Sequence, residues 1–212
     1  MSEYEIEPVR GLPGILPRGE TLLWQGAPDW RRLARDAYHT RLVAIYFGVL
    51  LAWGVVDTAA PGDAASPVGV GVTAGVAAAA LALLYGLAWL AAKTTVYSIT
   101  SKRVVMRFGI ALPKCVNLPF TQIAEARLAA NPDGIGDLAL ALAAKGLGYA
   151  ALWPHARPWQ LSKPEPMLRA LPDAAGVARL LADACASAVP GGRRVAPTAA
   201  SPDESFGEAV AA

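Results

Sequence analysis

The side chains most able to do chemistry in this chain are two histidines, His39 and His155, and two cysteines, Cys115 and Cys185. Neither cysteine has a histidine close to it in the sequence, so the ligand spacing of a metal site is missing. There is no serine-histidine-aspartate pattern with supporting context, no phosphate-binding glycine loop and no HExxH motif. The residue types therefore predict neither a metal site nor an enzyme.

A short segment around His155 combines aromatic and basic side chains. The residues concerned are Trp153, His155, Arg157 and Trp159. Exposed groups of this kind are typical of protein-binding hot spots. Tryptophan and arginine side chains are also common in the headgroup layer of a membrane. Both interpretations stay open, and both predict a surface close to a bilayer. For His155 itself, a structural role in a turn is the favoured interpretation.

Two apolar runs, Leu42 to Val56 and Pro67 to Ala92, contain no charged residue. A helix needs about 20 apolar residues to cross a bilayer, and flanking residues extend the first run towards that length. A surface helix of a soluble protein would carry a polar stripe, which both runs lack. We therefore predict a transmembrane hairpin over 42–92, with spans at about 40–60 and 67–92.

Basic residues flank the hairpin on both sides, whereas the loop between the runs has no lysine or arginine. Because lysine and arginine stay on the cytoplasmic side, we expect both termini to be cytoplasmic. The same residues can attract anionic lipid. The net charge of +2 is too small to favour nucleic acid. The predicted membrane-surface residues are Trp30, Arg31, Arg32, Arg35, Arg41, Lys93, Lys102, Arg103 and Arg107.

Small residues recur every four positions in both runs, as Ala44, Gly48 and Ala52 in the first and Gly71, Gly75 and Ala79 in the second. Such spacing allows membrane helices to approach closely. One interpretation is that the two spans pack against each other through these residues. The other is that a stripe contacts a partner's helix or a second copy of the chain.

The remaining sequence predicts a soluble α+β domain. After an N-terminal extension over 1–19, residues 20–26 suit a strand and 31–41 an amphipathic helix. Strand-like runs follow at 94–100, 103–109, 118–128, 138–142 and 147–153, with turns at 101–102 and 131–134. Residues 173–186 have helical spacing and complete the 94–186 domain, and the 187–212 tail is expected to be disordered.

Two motifs carry a family resemblance: GE-x-LLW-x-G-x-P-x-W from Gly19, and the strand-turn-strand VYSITSKRVVMRFG from Val96. Together with the hairpin between them, they resemble the bacterial membrane-anchored pleckstrin-homology-like (PH-like) proteins. The resemblance implies an antiparallel β-barrel closed by the C-terminal helix. It also implies that 20–26 supplies a strand, so that the hairpin interrupts the domain.

Three longer segments are similar to the photosynthetic complex assembly proteins of purple bacteria. They read LPRGETLLWQGAPDW, HTRLVAIYFGVLLAW and WPHARPWQLSKPEPMLRALPDA. The resemblance implies assembly of the reaction centre with light-harvesting 1 in the inner or intracytoplasmic membrane. The implied partners are subunits of those complexes or other assembly factors. His39, just before the first span, is then a candidate bacteriochlorophyll ligand, although a headgroup or capping role also fits.

The alternative function is that of a general membrane-anchored PH-like protein that binds lipid headgroups or envelope proteins. The first strand-turn-strand lacks the dense lysine and arginine cluster of lipid-signalling PH domains. Phosphoinositide binding is therefore not expected.

Overall fold

The computed structural model describes residues 10–59, 66–143, 148–188 and 198–199. The chain divides into two compact units. We call Met1–Asp29 together with Ala91–Ala212 the sheet domain, and Trp30–Leu90 the helical unit.

The helical unit consists of α1 (Trp30–Asp36), α2 (Thr40–Thr58) and most of α3 (Pro67–Thr94), whose last turn belongs to the sheet domain. Apolar residues cover all sides of α2 and α3, and both helices are long and apolar enough to cross a membrane. The predicted spans coincide with these two helices. Most of the predicted outer loop lies outside the described residues.

The first sheet of the sheet domain is antiparallel, in the order β1-β2-β3-β4. Its strands are β1 (Leu22–Gly26), β2 (Val96–Thr100), β3 (Arg103–Phe108) and β4 (Lys114–Pro119). β1 pairs with β2 although the whole helical unit lies between them in the sequence. The sheet is thus assembled from chain on both sides of the apolar helices.

The second sheet has the order β7-β6-β5-β8. It contains β5 (Ile123–Ala130), β6 (Gly136–Leu142), β7 (Met167–Leu171) and the two-residue β8 (Thr198–Ala199), which runs parallel to β5. A short helix α4 (Tyr149–Leu152) precedes β7, and α5 (Ala174–Ala188) packs on β5, β6 and β7. One hydrophobic core joins apolar residues of both sheets with one face of α5.

Local signals account for the β5–β6 turn and for the start of α5. The Asn131 side chain donates to the Ile135 carbonyl over 3.0 Å, and Gly134 adopts a positive φ of 80° that favours glycine. An Asp173 carboxylate oxygen accepts the Gly176 backbone N–H at 3.1 Å and caps α5. The predicted turn at 131–134 and helix at 173–186 are confirmed.

Several predicted elements are wrong in detail. The strand predicted over 118–128 is two strands, β4 and β5, separated by a 3-10 turn at Phe120–Gln122. In place of the strand predicted at 147–153, the structure has the helical turn α4. On the side of β6 away from β5, the pairing strand is β7, which the sequence analysis did not predict. The closed barrel is not confirmed, because the described strands pair as two separate sheets. Most of the predicted disordered tail lies outside the described residues.

Candidate interaction site

The residues predicted to lie at the membrane surface differ in exposure. Arg31, Arg35, Arg41, Lys93 and Lys102 are exposed. The half-buried members are Trp30, Arg32, Arg103 and Arg107. Two of the helical-unit arginines make local contacts: the Arg31 guanidinium carbon lies 5.3 Å from the Trp30 ring centroid, and Arg32 pairs with Asp36 at 2.7 Å. For the exposed residues of this set, contact with a membrane stays a prediction.

Arg103 has a structural partner that the sequence analysis did not find. Its guanidinium forms two parallel bonds to the Glu20 carboxylate, Nε to Oε1 at 2.7 Å and Nη2 to Oε2 at 2.9 Å. Burial alone would raise the pKa of Glu20, but hydrogen bonds from Arg103 and Thr100 and the arginine charge lower it overall. The assignment of Arg103 to a lipid-facing patch is therefore wrong, because its charge is used inside the domain.

Other residues of the two family motifs are structural as well. The Thr100 hydroxyl accepts the backbone N–H groups of Lys102 and Arg103 at 3.2 and 3.1 Å and holds the β2–β3 turn. Any Cβ at Gly26 would collide with the Trp24 ring, so this position of β1 requires glycine. The motifs therefore join β1 to the β2–β3 hairpin.

The aromatic-basic segment is divided between surface and core. Trp153 and Trp159 are exposed, at 51% and 77%, whereas His155 is completely buried and Arg157 is 6% exposed. The prediction that all four residues share one surface is wrong for the histidine and the arginine, whereas the structural role in a turn that the sequence favours for His155 is confirmed. The bonds that each of them makes inside the domain explain why.

His155 belongs to a continuous chain of buried hydrogen bonds. The Thr95 hydroxyl donates to the Ala91 carbonyl at 2.7 Å, so its oxygen is left to accept from His155 Nε2 at 3.2 Å. The Tyr97 oxygen accepts the Arg169 backbone N–H at 3.2 Å, so its proton is directed to His155 Nδ1 at 2.7 Å. This pattern assigns the proton of a neutral His155 to Nε2, and every member of the chain has a partner.

Burial and charge keep this histidine neutral. Burial, together with the positive charge of Arg169, lowers the pKa of His155 from 6.5 to about 3. Burial also raises the pKa of Tyr97 far above its ordinary value, so the phenol keeps its proton. The Phe108 ring covers the imidazole with 4.7 Å between ring centroids. His155 thus links β2, β3 and β7 as a structural residue.

Arg157 is held by an ion-pair cluster at the base of the following loop. Its Nη1 lies 3.0 Å from Glu165 Oε2, and Arg127 Nη1 lies 3.2 Å from Glu165 Oε1. Arg127 also contacts Glu125 at 2.8 Å. The Arg157 backbone N–H donates to the Glu165 carbonyl at 2.9 Å and closes the loop that carries Trp159.

The small-residue stripes lie on exposed faces of α2 and α3. Ala44, Gly48 and Ala52 are exposed on α2, and Gly71, Gly75 and Ala79 are exposed on α3. A Cβ at Gly48, Gly71 or Gly75 would meet nothing within 4 Å, whereas one at Gly54 would lie 3.2 Å from the Val70 side chain. The two helices therefore approach through other residues, and the interpretation that the stripes pack against each other is wrong. A role in contacting a partner stays a prediction.

His39 is exposed and immediately precedes α2 with a positive φ of 50°. Its side chain makes no capping hydrogen bond to the helix. The capping role is therefore wrong, and pigment ligation stays a prediction.

Comparison with known proteins agrees with the motif resemblance. Residues 37–184 match the family model described as Bacterial PH domain. A Rhodobacter capsulatus protein, named as an uncharacterized 23.7 kDa protein in the puhA 5′ region, is 37% identical over 186 residues, which cover 86% of this chain and 87% of that protein. No solved structure matches the chain. On the extent of these two matches, the chain belongs to the bacterial PH domain family.

Proposed function

We propose that this protein is a membrane-bound, non-enzymatic assembly factor for the photosynthetic reaction centre and light-harvesting 1 complex of a purple bacterium. It would act in the inner or intracytoplasmic membrane. The relative from the puhA 5′ region and the resemblance to photosynthetic complex assembly proteins support this assignment.

The dimensions and exposure of α2 and α3 support their insertion into a bilayer. At about 1.5 Å per residue, the 19 residues of α2 extend roughly 28 Å and the 28 residues of α3 roughly 42 Å, against about 30 Å of hydrocarbon. Only 6% of the apolar window of each helix is buried. The core helix of a soluble protein would be mostly buried. Basic residues on both flanks favour cytoplasmic termini and a cytoplasmic PH-like domain, which we propose to be a closed barrel.

The observation that carries the assembly function is the outward direction of the small-residue stripes. Leucine and lipid are equally apolar, so membrane helices gain little from hydrophobic burial and associate where small residues permit close approach. Gly48 and Gly75 each present open space to whatever lies beside them. We propose that subunit helices of the photosynthetic complex pack there and that the protein stabilises partly assembled intermediates. A second copy of the chain would compete for the same faces.

The test is co-purification from membranes of the host bacterium. Wild-type protein carrying an affinity tag is compared with a Gly48→Leu/Gly75→Leu double variant, which fills both stripes. A Val49→Leu/Val72→Leu variant is the matched control, because both valines are exposed on the same helices but lie outside the stripes. We expect reaction-centre or light-harvesting 1 subunits with the wild type and the control and their loss with the double variant. Recovery of none of these subunits with the wild type would contradict the proposal.

The exposed basic residues favour the second candidate, a PH-like protein that binds lipid headgroups. Its basic surface is smaller than the sequence predicted, because Arg103 pairs with Glu20 and Arg157 is buried. Headgroup-selective binding to liposomes, combined with a normal photosynthetic complex in a deletion strain, would favour this candidate over the first.

We further propose that the protein works without a bound pigment. If His39 instead ligated bacteriochlorophyll, a His39→Ala variant would purify with less pigment than the wild type. Equal pigment content in the two preparations is the expected result.

A further inference from the structure

The loop between β3 and β4, residues 109–113, exposes two apolar side chains. Ile110 is 43% exposed and Leu112 is 78% exposed. The sequence analysis made no prediction for this loop, and isolated exposed apolar residues are common on protein surfaces. Its position in the first sheet and the charges around it make it a candidate contact surface.

The backbone holds this loop in a defined shape. Gly109 has a φ of +124°, which other residues rarely adopt, and a Cβ there would collide with the Leu112 carbonyl oxygen. Pro113 follows directly and fixes its own φ. The apolar side chains are thus presented by a short loop whose first and last residues have a specific backbone conformation, which reduces the entropy that binding would cost.

Strand register places the loop at one particular end of the first sheet. Val96 is paired with Arg107, and Phe108 is paired with Lys114, so the loop and the first residue of β2 share an end. Only Thr95 separates β2 from the last residue of α3. If α3 crosses the bilayer, this end of the sheet lies at the membrane surface. The turn at the opposite end, Ser101 and Lys102, is polar. This arrangement therefore removes Lys102 from the residues that the sequence predicted to lie at the membrane surface.

The charge near the loop matches an anionic bilayer. Lys114, the first residue of β4, is exposed directly after the apolar turn, and Lys93 is exposed in the last turn of α3. An apolar tip followed by an exposed cation suits the boundary between acyl chains and anionic headgroups.

We infer that the β3–β4 loop is a second membrane contact, which inserts Ile110 and Leu112 into the interfacial layer of an anionic bilayer while Lys114 meets the headgroups. This inference rests on the proposed membrane location of the helices. It would bring this end of the first sheet to the bilayer, independent of any protein partner.

The experiment places an environment-sensitive fluorophore at single cysteines of the full chain in nanodiscs that contain anionic lipid. The background is Cys115→Ser, which removes the exposed thiol. Cys185 is buried with its pKa raised to about 11, so we expect it to stay unlabelled in the folded protein. The three labelled variants are Leu112→Cys, Lys102→Cys at the opposite end of the sheet, and Val49→Cys in the middle of α2.

We expect blue-shifted emission and quenching by nitroxide-labelled lipids at positions 49 and 112, and water-like emission with quenching by iodide at position 102. Replacing Lys114 with Gln should reduce the ratio of inserted to free loop about fivefold, because one cation near an anionic surface strengthens binding by about that factor.

If position 49 contacts lipid but position 112 behaves like position 102, the loop inference is overturned and the spanning helices stand. If position 49 is also in water, the membrane proposal and the loop inference both fail. If position 112 leaves water only when reaction-centre or light-harvesting 1 subunits are added, its partner is a protein and the inference is again overturned.

Discussion

Mild acid should destabilise the sheet domain through His155 alone. The imidazole is buried, neutral and fully hydrogen-bonded, with a pKa of about 3 in the folded state against an ordinary value of 6.5. Between these values the unfolded chain binds a proton that the folded chain does not. The free energy of unfolding therefore rises with pH across this window, and it decreases as the pH falls from 6.5 towards 3.

The size of the effect follows from the two pKa values. At pH 5 an unfolded histidine is almost fully protonated, whereas the folded one remains neutral. Integration from pH 7 to pH 5 gives a loss of about 2 kcal/mol. This figure depends on the unfolded pKa, so any folded pKa below about 4 gives the same result. Glu20, whose pKa is lowered from 4.5, contributes only at lower pH.

The assay compares urea unfolding of the full chain in nonionic detergent at pH 7 and pH 5. The Cys115→Ser background leaves Cys185, buried in the core of the sheet domain, as a reporter of unfolding. A brief pulse of thiol reagent at one fixed pH counts the unfolded fraction. The matched variant is His155→Gln, whose amide can accept from Tyr97 and donate to Thr95 but does not titrate.

Histidine loss itself will lower stability at both pH values, so the change with pH is the quantity to compare. We expect the wild type to lose about 2 kcal/mol more than His155→Gln on acidification. In a His39→Gln variant labelled with nitrogen-15, the remaining imidazole should stay in the Nε2–H form from pH 8 to pH 5. Equal pH dependence of wild type and His155→Gln, or titration of that imidazole near pH 6.5, would refute the assignment of a buried neutral histidine.

Two further predictions concern the family motifs. Arg103→Lys cannot reproduce the two parallel bonds to Glu20 and should cost about 1–3 kcal/mol in urea unfolding, whereas Lys102→Arg at the neighbouring exposed position should stay within about 0.5 kcal/mol. Equal effects would mean that the pair is not formed. Gly26→Ala should cost about 1–3 kcal/mol because its methyl group meets a tryptophan ring, whereas Gly14→Ala faces open space and should cost far less. A neutral Gly26→Ala variant would contradict that packing.

Sequence reasoning succeeded where the signal was local. The turn at 131–134 and the start of α5 follow from asparagine, glycine and aspartate side chains that bond to their own neighbourhood. The two apolar helices follow from length and composition. The sequence pattern did not predict β7, because Arg169 interrupts its apolar run. That arginine is accommodated by the Asp137 carboxylate, 3.8 Å away on the neighbouring strand β6, which is far from β7 in the sequence, so no local pattern indicates the pair.

The errors at the candidate site have the same origin. Spacing of four identifies residues that share a helix face, but it does not say which face turns inward. Gly48 was therefore assigned to the face of α2 that packs on α3, whereas the structure places it on an exposed face. The burial of His155 depends on Thr95 and Tyr97, far away in the sequence, and only the fold brings them within hydrogen-bonding distance.

In the proposed function, the membrane helices of this protein promote assembly of the photosynthetic complex. This function is tested by the near-infrared absorbance of the reaction centre–light-harvesting 1 complex per cell in a deletion strain. This strain is complemented with wild-type protein, with Gly48→Leu/Gly75→Leu, or with Val49→Leu/Val72→Leu. We predict low absorbance in the deletion strain, recovery with the wild type and the valine control, and no recovery with the glycine variant. Normal absorbance in the deletion strain would contradict the proposed function.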